Sequence, residues 1–116
     1  MHELSLAQSV VEMVDELAKK EGFKKVHRLR LGVGAMSGVV KESLEFCFSL
    51  LIQGTVLEGT ALEMIDIPLK IRCRACKAEC QVNPDDIRCT DCGSGSVEVK
   101  EGRDFKVIDL DVDGMS

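Results

Sequence analysis

A chain of 116 residues is long enough for one modest core, or for a core carrying a small stapled module. Hydrophobic residues make up 45% and charged residues 30%, an ordinary globular balance, and no apolar run reaches the ~18 residues of a membrane span: Val39 to Ile52 is broken by Lys41, Glu42 and Glu45. The net charge of −5 argues against generic nucleic-acid binding, and the N-terminus lacks the basic-then-apolar pattern of a secretory signal, so a cytoplasmic protein bound to neither membrane nor nucleic acid is expected.

The stretch "LSLAQSVVEMVDELAKK" repeats apolar residues at helical spacing: Leu6, Val10, Val14 and Leu17, with Ala7, Val11 and Ala18 beside them. Ser5 followed by Gln8 fits a capping box, and Gly22 fits a C-terminal stop. His2 and Glu3 are therefore expected against the first turn of a packed helix. In "KVHRLRLGVG", His27, Leu29, Leu31 and Val33 share one strand face. "KESLEFCFSLLIQ" predicts a second helix ending at Gly54, with Cys47 as a small buried hydrophobe. "ALEMIDIPLKI" predicts a second strand with Ala61, Ile65, Ile67, Leu69 and Ile71 on one face; Pro68 marks an edge or the point where pairing ends. "DFKVIDLDVD" alternates, with Ile108, Leu110 and Val112 inward and Asp109, Asp111 and Asp113 outward. The order predicts an α+β fold, a small three-stranded sheet with two helices on one face, built from residues 1–71 and 104–116. Residues 72–103, rich in cysteine and turn formers, are expected as an inserted zinc-ribbon-like module.

Within that insertion, Cys73-Arg-Ala-Cys76 and Cys89-Thr-Asp-Cys92 are two C-x2-C knuckles separated by twelve residues. Each knuckle places two thiolates on one tight turn, and two turns supply four sulfurs to a tetrahedral ion. Zn(II) accepts four thiolates and does no redox chemistry. Such a site is closed to water, so its expected role is structural, because a segment this poor in apolar residues needs the metal to fold. An iron site, or a pair of disulfides, is the lesser alternative. Cys80 is expected beside the site without ligating.

The chain end offers a second donor set. Bacterial-type processing removes Met only before a small residue, so Met1 is expected to remain ahead of His2. The Met1 α-amine, the His2 amide and the His2 imidazole then lie in adjacent positions, and Glu3 adds an amide and a carboxylate. Nitrogen-rich planar sites suit Ni(II) and Cu(II). With pKa values of about 8 for the amine and about 6.5 for the imidazole, both donors become available near neutral pH. His27, alone on a strand face, reads as a satisfied structural histidine.

These features, taken together in this order, resemble the HypA/HybF family of hydrogenase-maturation nickel chaperones. The resemblance rests on "MHELSLAQS", "LGVGAMSGVVKESLEFCF", "QGTVLEGTALE" and the cysteine module, and it spans nearly the whole chain. It implies delivery of Ni(II) to the nickel-iron hydrogenase large-subunit precursor together with a partner GTPase. It also implies nickel binding by Met1, His2 and Glu3, and zinc binding by Cys73, Cys76, Cys89 and Cys92. Several members carry a histidine directly after a knuckle, whereas Lys77 and Gly93 stand here, so a histidine-linked rearrangement of the zinc site is not expected. An acidic contributor at the start of helix two would be Glu42. The sequence leaves a homodimer open.

Three other function classes have weaker support. A zinc-ribbon adaptor for protein or nucleic acid would have no use for His2; its local basic patch would be Lys70, Arg72, Arg74 and Lys77. An enzyme lacks a nucleophile–base pair, since there are only two histidines and Ser37 has no evident activator. A dithiol redox protein would not need two matched knuckles.

Overall fold

The computed structural model describes residues 3–113. In chain order the elements are α1 (Glu3–Glu21), β1 (Lys25–Gly34), α2 (Lys41–Leu51), β2 (Ala61–Ile67), β3 (Leu69–Cys73), β4 (Glu79–Val82), β5 (Val97–Glu101) and β6 (Phe105–Asp113). The fold is mixed α+β, with two helices and two three-stranded sheets ordered β2-β1-β6 and β4-β3-β5.

Helix α1 buries Ala7, Val10, Val11, Val14 and Ala18, one stripe at helical spacing. Leu17 lies outside this stripe and is exposed. The helix already begins at Glu3, so Ser5 sits within its first turn and is not the cap that the sequence pattern implied. Burial of the stripe outweighs a local capping signal, because helix stability in proteins comes mostly from tertiary packing. The other end follows the expected stop: Gly22 has φ +85 and donates its N–H to the Ala18 carbonyl at 2.8 Å.

In β1 the inward residues are Val26, Leu29, Leu31 and Val33, and His27 points to solvent. The expected alternation is thus broken between Val26 and Leu29, where His27 and Arg28 both face out. His27 Nε2–H donates to Asp113 Oδ2 at 2.8 Å, and both side chains are exposed. Arg28 reaches Glu63 at 3.2 Å and Arg30 reaches Asp109 at 3.4 Å. These half-exposed pairs add only about 0–1 kcal/mol each, but they partner two of the three outward aspartates of β6. Ile108, expected inward, is exposed, and Val107 takes a half-buried place instead.

The run read as one strand through residue 71 is two. Pro68 has no N–H to give to a ladder, so β2 ends at Ile67 and β3 begins at Leu69 in the other sheet. Strand β3 pairs antiparallel with β4, setting Ile71 against Cys80, and with β5, setting Cys73 against Val97.

Two compact units result. Among the described residues, one takes in the chain up to Leu31, then Val39–Met64, then the chain from Val107; the other takes in Gly32–Gly38 and Ile65–Lys106. The first buries the α1 stripe with Phe23, Val26, Leu29, Leu31, Leu44, Phe48 and Leu57. Among the described residues, the buried apolar side chains of the second are Val33, Leu69, Ile71, Cys73 and Cys89. Cys47 is half-buried on α2, more accessible than its apolar neighbours implied.

Candidate metal centres

The two knuckles adopt the same hydrogen-bond plan. Cys73 N–H donates to the Ala78 carbonyl at 2.8 Å, and Lys77 N–H donates back to the Cys73 carbonyl at 3.0 Å. In the second knuckle Cys89 N–H donates to the Ser94 carbonyl at 2.9 Å, and Gly93 N–H to the Cys89 carbonyl at 2.9 Å. Both turns close through a left-handed residue, Lys77 at φ 67 and Gly93 at φ 77. The turns carry the four sulfurs to one place, all within 4.8 Å of one another.

Cys73 Sγ lies 3.6 Å from Cys92 Sγ, and Cys76 Sγ 3.6 Å from Cys89 Sγ. Disulfide sulfurs sit ~2.05 Å apart, so these are thiols. The short approaches run between knuckles, whereas a redox C-x2-C would close on itself. A tetrahedral ion with bonds of about 2.3 Å has sulfur–sulfur edges of about 3.8 Å. The donor set of Cys73, Cys76, Cys89 and Cys92 therefore fits Zn(II). Cys80 is not in this cluster, as expected.

The thiols are not equivalent. The Cys76 backbone N–H, 3.4 Å from Cys73 Sγ, is the main reason that the Cys73 thiol is lowered to about 6. Cys89 is lowered likewise, chiefly by the Cys92 backbone N–H. For Cys76, the Ala78 backbone N–H pulls downward, but the Cys89 thiol, burial and the other two cysteines outweigh it and push the group up to about 12. Cys92 is raised by the same balance, with Ser94 N–H lowering it and Cys73 and burial raising it. Each knuckle thus pairs one thiol of lowered pKa with one of raised pKa, and binding a cation favours the thiolate of both.

The expected basic patch is interleaved with acids. In the sheet registers Arg72 faces Glu79 and Glu98, and Lys70 faces Glu101. Such alternation leaves no continuous cationic track for a polyanion.

At the other centre, Met1 and His2 lie outside the described residues. Glu3 is described, and it is buried at 8% exposure, the only charged side chain so enclosed among the described residues. Its Oε2 accepts the Val40 backbone N–H at 3.1 Å. Val40 is the N-cap of α2, extended at φ −93, ψ 112, and its own side chain cannot cap. Glu3 thus supplies from α1 the acceptor that a capping-box glutamate would supply from within α2. Sequence reasoning missed this contact. The available signal was negative: a helix whose N-cap position holds valine has no local cap. Glu42, in the first turn of α2, shares an open cleft with Glu3, Leu4, Ser43, Phe46 and Cys47.

Comparison with known proteins agrees with this arrangement. Residues 1–112 match the model of a family described as hydrogenase/urease nickel incorporation, metallochaperone, hypA. A hydrogenase maturation factor HypA from Moorella thermoacetica is 38% identical over 92% of this chain and 95% of its own. One from Syntrophus aciditrophicus is 37% identical over 97% of this chain and 100% of its own. Among solved structures, the solution structure of the Ni metallochaperone HypA from Helicobacter pylori superposes with a TM-score of 0.71, at 25% identity, over 97% of both chains.

Proposed function

The chain belongs to the HypA family of nickel-incorporation metallochaperones, and from that premise we propose that it binds Ni(II) as cargo through Met1, His2 and Glu3 for the maturation of a nickel-iron hydrogenase. The recipient is the hydrogenase large-subunit precursor, and a GTPase of the same machinery assists the transfer. The portion formed by residues 1–71 and 104–116 handles nickel, and residues 72–103 hold structural zinc. The chain works in the cytoplasm and carries out no catalytic step of its own.

The observation that supports this reading above all is the anchoring of Glu3. Directly after His2, the chain enters a packed helix through a buried, hydrogen-bonded residue. Donors on Met1 and His2 would thereby adjoin a packed helix in sequence. Amine, amide and imidazole nitrogens form adjacent chelate rings that favour a planar d8 ion. Ligands of this kind release their cargo when a better donor set competes, and an open coordination position admits the competitor more readily than a closed four-thiolate site does. The zinc cluster supplies a folded platform and stays out of the transfer.

Calorimetric nickel titration of untagged, zinc-loaded protein tests the proposal. Wild type should bind nickel stoichiometrically, and His2→Ala should lose that binding with its zinc content intact. A short N-terminal extension, which removes the free α-amine from position one, should weaken nickel binding about as much as His2→Ala. Normal nickel binding in the extended protein would exclude amine ligation. Equal binding in wild type and His2→Ala would remove the N-terminus from the site altogether.

A further inference from the structure

We propose that the Glu3 carboxylate is a positioning residue that locks the nickel-binding chain end onto the start of α2, and that it is not itself a donor to the ion. The inference rests on the N-terminal nickel reading above and assigns the Glu3 side chain within it. Three observations carry it. The carboxylate is enclosed, and an enclosed charge persists only where it is hydrogen-bonded. Its Oε2 is committed to the Val40 N–H across 37 positions of sequence, so the bond joins two helices. The donor is the backbone N–H of the α2 N-cap, the group that a capping-box carboxylate takes, so the bond fixes α1 to the first turn of α2.

The consequence concerns the residues ahead of Glu3. The chain leaving α1 toward His2 starts from a residue held at two points, by its place in α1 and by the Val40 bond. A ligand arm that starts from a fixed residue loses less freedom on closing around an ion than one that starts from a frayed turn. In this role Glu3 resembles the outer groups that orient metal ligands, whose loss costs about 10–100-fold in affinity. The role falls to the Glu3 carboxylate alone, which meets Val40 through Oε2; a donor from the Glu3 backbone remains part of the nickel reading above.

The experiment compares wild type, Glu3→Gln, Glu3→Ala and Val40→Pro as untagged, zinc-loaded protein. Glutamine keeps an oxygen acceptor for the Val40 N–H, alanine removes the acceptor, and proline removes the donor at a backbone angle close to its own range. Two readouts are taken: hydrogen exchange of the Val40 amide in the nickel-free protein, and nickel affinity with the absorption spectrum of the bound ion. Glu3→Ala should expose the Val40 amide to exchange and weaken nickel by about 10–100-fold. Glu3→Gln should recover much of both, with the wild-type nickel spectrum. Val40→Pro should weaken nickel as Glu3→Ala does, and the two changes together should cost no more than one alone. If Glu3→Gln binds as poorly as Glu3→Ala and shifts the spectrum, the carboxylate is a ligand and the proposal fails. If the Val40 amide exchanges at the wild-type rate in Glu3→Ala, the lock does not exist. If His2→Ala leaves nickel binding unchanged, the N-terminal site falls, and the exchange rates alone then decide whether Glu3 holds the two helices together.

Discussion

Lys77 and Gly93 hold equivalent places in two turns with the same hydrogen bonds, yet only one of them is a glycine. A left-handed backbone costs an L-residue about 1–2 kcal/mol, while a glycine gives up about 0.5–1 kcal/mol of chain entropy. The first knuckle therefore stores strain that the second avoids. Lys77→Gly should stabilise the zinc module slightly, by less than about 1 kcal/mol, and Gly93→Lys should destabilise it by about 1 kcal/mol on the same bookkeeping. Rates of zinc transfer to a coloured chelator would rank the variants: slowest for Lys77→Gly and fastest for Gly93→Lys. The reverse order would show that the lysine side chain contributes something the backbone does not explain.

The elements of the second unit are joined by backbone contacts that leave no room for side chains. The loop after β1 donates from Ala35 N–H to the Ile67 carbonyl and from Met36 N–H to the Gly102 carbonyl, at 2.9 and 2.7 Å. Gly34 N–H donates to the Asp104 carbonyl at 3.0 Å. A Cβ on Gly34 would stand 2.5 Å from the Gly102 carbonyl oxygen, and one on Gly102, at φ +96, would stand 2.6 Å from Leu69 Cα. Both obstacles are backbone atoms, so no rotamer change relieves them. Gly102→Ala should therefore cost more than the ~1–3 kcal/mol of an unfavourable dihedral alone, seen as a lower denaturation midpoint with zinc present. Here, too, the strand pattern shows its limits. Pro68 was visible as a break, but the transfer of β3 to a second sheet depends on β4 and β5, which lie later in the chain.

For the molecule as a whole, the two units differ in what holds them. The first has a core supplied by two helices and β1; the second buries five apolar side chains among the described residues, two of which are the clustered cysteines Cys73 and Cys89. Removing zinc should unfold the β4-β3-β5 sheet and leave the helical circular-dichroism signal of α1 and α2, since so small a core cannot balance chain entropy. Acid should act in the same direction. Protons compete with the ion for sulfur, so zinc is retained at neutral pH and released in acid, at a pH below the value of about 6 that the metal-free Cys73 thiol has, because the bound ion holds the thiolate. Loading at neutral pH should release protons, because Cys76, pushed up to about 12, holds its proton until the metal displaces it; buffer-dependent heats in calorimetry would count them. By itself the sequence determined the four cysteines that cluster, the two helices, the turn glycines and the family, because each is written in local spacing: C-x2-C within one turn, apolar residues at 3.6-residue intervals, glycine where the chain reverses. Only the tertiary structure decided that Ser5 is no cap, that His27 faces Asp113 in solvent, that residues 61–71 serve two sheets, and that Glu3 caps a helix beginning far along the chain. Each of those depends on a partner remote in sequence, and the free energy of a remote contact is not encoded at either end of it alone.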